Sequence, residues 1–225
     1  MARYILLLAF VCSCLILNAQ ASTQKTWAKY ERYAQANSLL KETPQVVFLG
    51  NSITDFWVRE MPDFFKSNNY VGRGISGQTT EQMLARFHQD VVGINPKIVV
   101  ILAGINDIAQ NNGPISKENI LQNIMSMCDI AIANNITPVL CSILPCDYFV
   151  WRKDLKPAPI VVEMNKLISK YAKSKGYAYV DYYSILATPD GALNTKYTKD
   201  RCHPTREGYE QMISIVQNVL LPMLK

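Results

Sequence analysis

Histidine is nearly absent from this chain: His88 and His203 are the only two in 225 residues. No cysteine pair has C-x-x-C spacing either. The imidazoles and thiolates of a zinc site are therefore in short supply, and no metal or other cofactor is expected. Basic clusters are also missing. The 23 lysines and arginines leave a net charge of +5, but no run of them exceeds two residues. A nucleic-acid partner would call for a clustered basic patch, so none is expected. Ten glycines and eleven prolines, against 49% hydrophobic residues, describe an ordinary globular chain rather than a disordered one. There is no linker, repeat or low-complexity stretch, which argues for one domain.

The apolar run Tyr4 to Leu17 is shorter than the roughly 20 residues of a membrane span, so no stable span is expected. It follows Arg3 and ends at Ala19-Gln20-Ala21, the charged start, greasy core and small-x-small site of a secretory signal peptide. Cleavage after Ala21 leaves residues 22–225 as a single domain in a secreted or periplasmic protein. Lipoprotein anchoring through Cys12 or Cys14 is the weaker alternative, because neither has a small-residue context. Of the remaining thiols, Cys128, Cys141, Cys146 and Cys202, only Cys141 has a reading of its own, a buried free thiol in a strand-like run. Export permits disulfides, a domain this size does not need them, and the pairing stays open.

Short β-branched or aromatic-rich runs recur at Val46 to Leu49, Lys97 to Ala103, Thr137 to Ile143 and Tyr177 to Asp181, with a weaker one at Asn69 to Val71. Continuous apolar runs of this length suit strands buried on both faces of a parallel sheet. Helical spacing marks Trp27 to Leu40, Glu81 to Val92, Glu118 to Ala133, Ile160 to Ala172 and Glu207 to Leu221. Strand and helix alternate throughout, which predicts an open α/β sandwich. In such sheets ligands bind beyond the strand ends, near the reversal of strand order, and the chemistry belongs in those loops.

Gly50-Asn51-Ser52-Ile53-Thr54 directly follows the first strand. Ser52 there is a candidate nucleophile at a helix N-terminus, where free N–H groups favour negative charge, although Ser and Thr cap helices routinely. In Asp200-Arg201-Cys202-His203-Pro204 the aspartate can turn back onto its histidine three residues on. Pro204 suits the first position of the last helix, and a plain loop ion pair is the competing reading. Asn106 in Gly104-Ile105-Asn106-Asp107 offers an amide donor beside the same edge, or simply caps a turn. Gly72 to Gly77 fits G-x-G-x-x-G, the dinucleotide fingerprint, but lacks the expected place after the first strand of its unit. His88 falls within a helical pattern and reads as a surface or half-buried residue.

Taken together and in order, Gly-Asn-Ser52-Ile, Gly-Ile-Ser-Gly77-Gln-Thr-Thr, Gly-Ile-Asn106-Asp and Asp200-Arg-Cys-His203-Pro resemble the four blocks of the SGNH hydrolases, also called GDSL esterases. The resemblance runs from about Val46 to Gly208. One position departs: Asn51 stands where the family usually has aspartate. The resemblance implies a flavodoxin-like three-layer sandwich on a five-stranded parallel sheet, with a shallow site lacking a lid. It further implies a Ser52–His203–Asp200 triad and an oxyanion hole from the Ser52 and Gly77 N–H groups and the Asn106 amide. Short-chain, above all O-acetyl, ester hydrolysis on carbohydrates is the expected activity, with a lipid-directed acylhydrolase as the alternative and a dinucleotide-binding protein as a remote one. Trp57 and Trp151 are the candidate substrate-binding aromatics.

Overall fold

In the computed structural model, which describes residues 26–225, the five apolar runs form five parallel strands. They are β1 (Val46–Gly50), β2 (Tyr70–Gly74), β3 (Ile98–Ile101), β4 (Thr137–Cys141) and β5 (Ala178–Val180), in the order β2-β1-β3-β4-β5. Val46 pairs with Tyr70 on one side and Ile98 on the other, so β1 lies inside the sheet with both ladders satisfied. Every residue of β1 and β3 is buried. Each buried Val, Ile or Leu side chain is worth about 1.5–3 kcal/mol, so these short runs carry much of the core. The proposed leader, its Ala21 cleavage site, Cys12 and Cys14 lie outside the described residues. Among the described residues, no helix is long and apolar enough to cross a membrane.

Helices cover both faces: α1 (Ala34–Ser38), α2 (Ser52–Glu60), α3 (Pro62–Ser67), α4 (Thr80–Ala85), α5 (Phe87–Asp90), α6 (Ile105–Ile108), α7 (Lys117–Ala133), α8 (Pro157–Lys175), α9 (Tyr183–Leu186) and α10 (Arg206–Met223). The expected three-layer α/β/α arrangement and five-stranded parallel sheet are both present. After β1 the chain steps outward to β2, then returns across β1 to add β3 on its other side. The reversal opens a crevice at the C-terminal ends of β1 and β3, where Ser52 and Asn106 begin their helices.

Two expected helices are broken. Trp27 to Leu40 folds as a single 3-10 turn, Tyr30–Arg32, followed by α1. Side chains from elsewhere take its backbone acceptors: Gln82 Nε2 donates to Trp27 O at 2.9 Å, Gln78 Nε2 to Ala28 O at 2.8 Å, and Gln89 Nε2 to Tyr30 O. Glu81 to Val92 breaks at Arg86 into α4 and α5, with a short turn, Val92–Ile94, following. The Arg86 guanidinium is fully buried and donates to Gly50 O, Arg73 O, Gln78 Oε1 and Asp90 Oδ2. It ties the ends of β1 and β2 to the loop that follows them.

The glycines of Gly72-x-Gly74 are explained by packing rather than by phosphate. A Cβ on Gly72 would lie 2.1 Å from Val58 Cγ2, and one on Gly74 would lie 2.2 Å from Asp55 N. Both glycines sit within β2 so that α2 can press against it. Helix–strand packing therefore accounts for these two glycines without a phosphate.

Candidate active site

The strand-to-helix turn at the end of β1 needs small and polar residues. A Cβ on Gly50 would meet Thr54 Oγ1 at 2.1 Å. Asn51 caps α2, its Oδ1 accepting the Ile53 N–H at 3.2 Å, so the amide that replaces the family aspartate still holds the turn. Ser52 is then the first helical residue and is largely buried. Its Oγ lies 2.9 Å from His203 Nε2, although 151 residues separate the two in sequence.

His203 owes its position to the loop before α10. Arg201 takes a left-handed conformation, φ +68°, and folds the chain back on itself. Asp200 Oδ1 accepts the Cys202 and His203 backbone N–H groups at 3.0 and 2.7 Å, and its Oδ2 lies 2.7 Å from His203 Nδ1. An ionised carboxylate only accepts, so Nδ1 carries the proton and Nε2 faces Ser52 Oγ as an acceptor. Burial opposes the Asp200 charge, but these hydrogen bonds outweigh it and hold the carboxyl below the usual carboxylate range. Side-chain exposures of 20% for His203 and 38% for Asp200 leave this edge open to solvent. Pro204 is not the first residue of the last helix as expected. It bridges Thr198, and the Thr205 N–H goes to Tyr197 O at 2.7 Å, so α10 starts only at Arg206.

Thr198 is a site residue that the sequence reading missed. Its Oγ1 donates to His203 O at 2.8 Å and accepts the N–H groups of Asp200 and Arg201 at 3.3 and 3.0 Å. The signal was present as a threonine two residues before the aspartate, a spacing that suits a side-chain turn.

Across the crevice, Gly77 has φ +83°, a conformation that favours glycine, and a Cβ there would meet open space. Asn106 is buried at the first turn of α6, and its Nδ2 donates to Gln78 O at 2.9 Å. That bond joins the Gly77–Gln78 turn to Asn106. Asp107, also missed, adds a second tie: its oxygens accept the Thr80 N–H at 3.0 and 3.1 Å and the Thr80 hydroxyl at 2.5 Å. Burial pushes the Asp107 carboxyl up to about 6, against hydrogen bonds that favour its charge. Its folded pKa therefore exceeds its unfolded one. The stability it contributes is complete below about pH 4 and is lost as pH rises through about 6. The Asp107→Asn variant is expected to lose less stability than wild type between those limits, as measured by urea midpoints. Parallel profiles would show that Asp107 does not titrate there.

Trp57 is corrected. It is 1% exposed, stacked between Phe64 at 5.6 Å and Tyr209 at 5.7 Å, and cannot meet a substrate. The reason is helical geometry: five residues beyond Ser52 points well away from it, whereas four residues returns to the same face. Phe56 occupies that place, its ring 5.2 Å from the His203 ring. Trp151 is 41% exposed and its ring lies 6.1 Å from that of His203, with Nε1 donating to Asn111 Oδ1 at 3.2 Å. His88 is exposed.

The sequence profile of the GDSL-like lipase/acylhydrolase family matches residues 48–211. A structure from Bacteroides fragilis assigned as an acylhydrolase is 44% identical, with a TM-score of 0.87, covering 90% of this chain and all of that one. A GDSL-like lipase from Bacteroides thetaiotaomicron is also 44% identical, with a TM-score of 0.85, covering 88% of this chain and 100% of that one. An acetylxylan esterase from Geobacillus stearothermophilus shares the fold at 16% identity and a TM-score of 0.63, over 80% of this chain and 94% of its own. The Bacillus subtilis lipoprotein YqeF is 30% identical over 93 residues, 40% of this chain; the match spans only 38% of that relative's length.

Proposed function

From the premise that this chain belongs to the GDSL-like lipase/acylhydrolase family, we propose that it is an exported serine esterase that removes short acyl groups, acetyl first, from carbohydrates. The observation that carries the esterase reading is the continuous relay from Ser52 Oγ through His203 to Asp200, at 2.9 and 2.7 Å. Ser52 Oγ attacks the ester carbonyl carbon while His203 Nε2 takes its proton. Asp200 holds the ring and stabilises the imidazolium. The oxyanion that forms is met by the Ser52 and Gly77 N–H groups and by the Asn106 amide hydrogen not committed to Gln78. Collapse breaks the bond to the alcohol oxygen, which receives the proton from His203, and leaves an acyl-serine. Water repeats the two steps and frees the acid.

A solvent-open base and carboxylate support a shallow site suited to a small acyl group on a large polar alcohol. The exposed Trp151 face, with Phe56 on the other element beside His203, supports stacking on a sugar ring. The acetylxylan esterase shows that this fold accommodates such chemistry in another protein. Export rests on the leader read at residues 1–21 and is supported by a relative described as a lipoprotein. The 44% identity to a protein described as a GDSL-like lipase favours a second reading, a lipid acylhydrolase.

A fluorophosphonate should label the protein at Ser52 alone, and Ser52→Ala should take up none. Label on another residue, or none on wild type, removes the esterase reading. On nitrophenyl esters of increasing length, kcat/KM should peak at acetyl, with acetate released from acetylated xylan. A peak at long acyl chains would turn the assignment to the lipid reading. Asn106→Ala is expected to lower kcat by about 100- to 1,000-fold, the usual loss for one oxyanion donor. Near-normal turnover in a variant with unchanged circular dichroism would show that Asn106 does not meet the oxyanion.

A further inference from the structure

The four cysteines of the domain are free and buried, yet their surroundings differ. Cys128 lies against Tyr171 and Cys141 against Tyr182, each with a phenol as its neighbour. Cys146 and Cys202 are neighbours across two loops, at 1% and 2% exposure. The Cys146 thiol also donates to Tyr148 O at 3.5 Å. Beside this pair, the residues next in sequence cross the same gap. Arg201 Nε donates to Asp147 Oδ1 at 3.0 Å, its Nη2 pairs with Oδ2, and its guanidinium lies 5.2 Å from the Tyr148 ring centroid. Two loops remote in sequence are thus held in a fixed alignment at adjacent positions. One carries Cys146 after β4. The other carries Cys202 between Asp200 and His203.

We propose that Cys146 and Cys202 form a disulfide that clasps the histidine-bearing loop to the loop after β4. Two S–H bonds break and one S–S bond forms. The S–S bond of a small-molecule or protein disulfide breaks in exchange, and that disulfide takes up the two electrons and the two protons and leaves as two thiols. The neighbouring Cys146 thiol, together with burial, pushes the Cys202 thiol well above the ordinary thiol range. Thiolate is the attacking species, so exchange is slow once the loops have closed and proceeds while the chain is folding. Burial then shields the finished bond from reductant. The bond restrains segment 147–201 in the unfolded chain, and in the folded one it anchors the residue between the carboxylate and the imidazole. It stands apart from the ester chemistry, and its test uses no activity.

The full chain, unfolded with reductant, would be refolded in a glutathione redox buffer or in dithiothreitol, then alkylated, digested and mapped by mass. The glutathione sample should yield one cross-linked peptide pair joining Cys146 to Cys202, with Cys128 and Cys141 alkylated. Its thermal midpoint should lie about 5–10 °C above that of the dithiothreitol sample. In Cys146→Ser, and separately in Cys202→Ala, the two buffers should give equal midpoints. Four alkylated thiols after glutathione refolding, or a bond to Cys128 or Cys141, would overturn the pairing. A Cys146–Cys202 bond that left the midpoint unchanged would overturn the clasp.

Discussion

Ser52→Ala is expected to lower kcat on any ester this protein cleaves by about a million-fold, because the nucleophile and its base act as one unit. What remains should be the roughly 1,000-fold or greater advantage over water that an oxyanion hole and binding supply by themselves. The fold should survive. Ser52 makes its side-chain hydrogen bond to His203, while the cap on α2 belongs to Asn51 and the packing beneath it to Ile53 and Trp57. Loss of one hydroxyl at a polar edge removes no core contact, so the thermal midpoint should stay within a few degrees of wild type. The measurement is kcat under single-turnover conditions, alongside circular dichroism. A variant that kept even one hundredth of wild-type turnover would mean that a water, not Ser52, attacks the carbonyl.

The crevice works because four segments far apart in sequence end at one edge of the sheet. The parallel order β2-β1-β3-β4-β5 brings the C-terminal ends of β1 and β3 side by side, and with them Ser52 and Asn106. Position alone does not fix the donors. The buried Arg86 ties Gly50 O and Arg73 O to Gln78, Asn106 holds Gln78 O, and Asp107 holds Thr80. The turn from Gly77 to Thr80 is thereby clamped to the ends of three strands before any substrate arrives. Donors held in this way need little reorganisation when charge develops, which is where oxyanion stabilisation gets its size.

The strands were legible because β1 and β3 are wholly buried and the runs are short, β-branched or aromatic-rich and bounded by turn residues, which favours strand over helix. Ser52, Gly77, Asn106, Asp200 and His203 were legible as an ordered set, each at a place where an α/β sheet puts its chemistry; singly, each also read as a cap or a turn. Asp107 and Arg86 were hidden because their work is done through contacts across the fold, and a lone buried carboxylate or guanidinium has no periodic signature. Thr198 acts within its own loop, where its spacing from Asp200 was the signal. At the first broken helix, the carbonyls of Ala28, Trp27 and Tyr30 accept from Gln78, Gln82 and Gln89, contacts that no local pattern reveals. Trp57 is a different kind of miss. The helical period places Phe56, rather than Trp57, on the face of Ser52. The contact between Cys146 and Cys202 depends on how two loops settle against each other, and spacing could not have paired them.

In Asp200→Asn the loop should persist while turnover falls by about 10,000-fold, the loss seen where a triad carboxylate becomes an amide. The asparagine Oδ1 can still accept the Cys202 and His203 backbone N–H groups, so the turn around Arg201 keeps its hydrogen bonds. The Nδ2 group then faces His203 Nδ1 and donates, which forces Nδ1 to accept and moves the ring proton to Nε2. An Nε2–H pointing at Ser52 Oγ cannot take the serine proton. Stability offers an independent reading of the same substitution. The Asp200 carboxyl lies below its ordinary range in the folded protein, so it contributes stability above the unfolded pKa and loses it as pH falls through the lower folded value. The advantage of wild type over the variant in urea midpoint should therefore shrink below about pH 4, while the rate deficit at neutral pH stays large. A variant that turned over within tenfold of wild type would show that His203 reaches its working tautomer without Asp200, and the carboxylate would then serve the loop rather than the reaction.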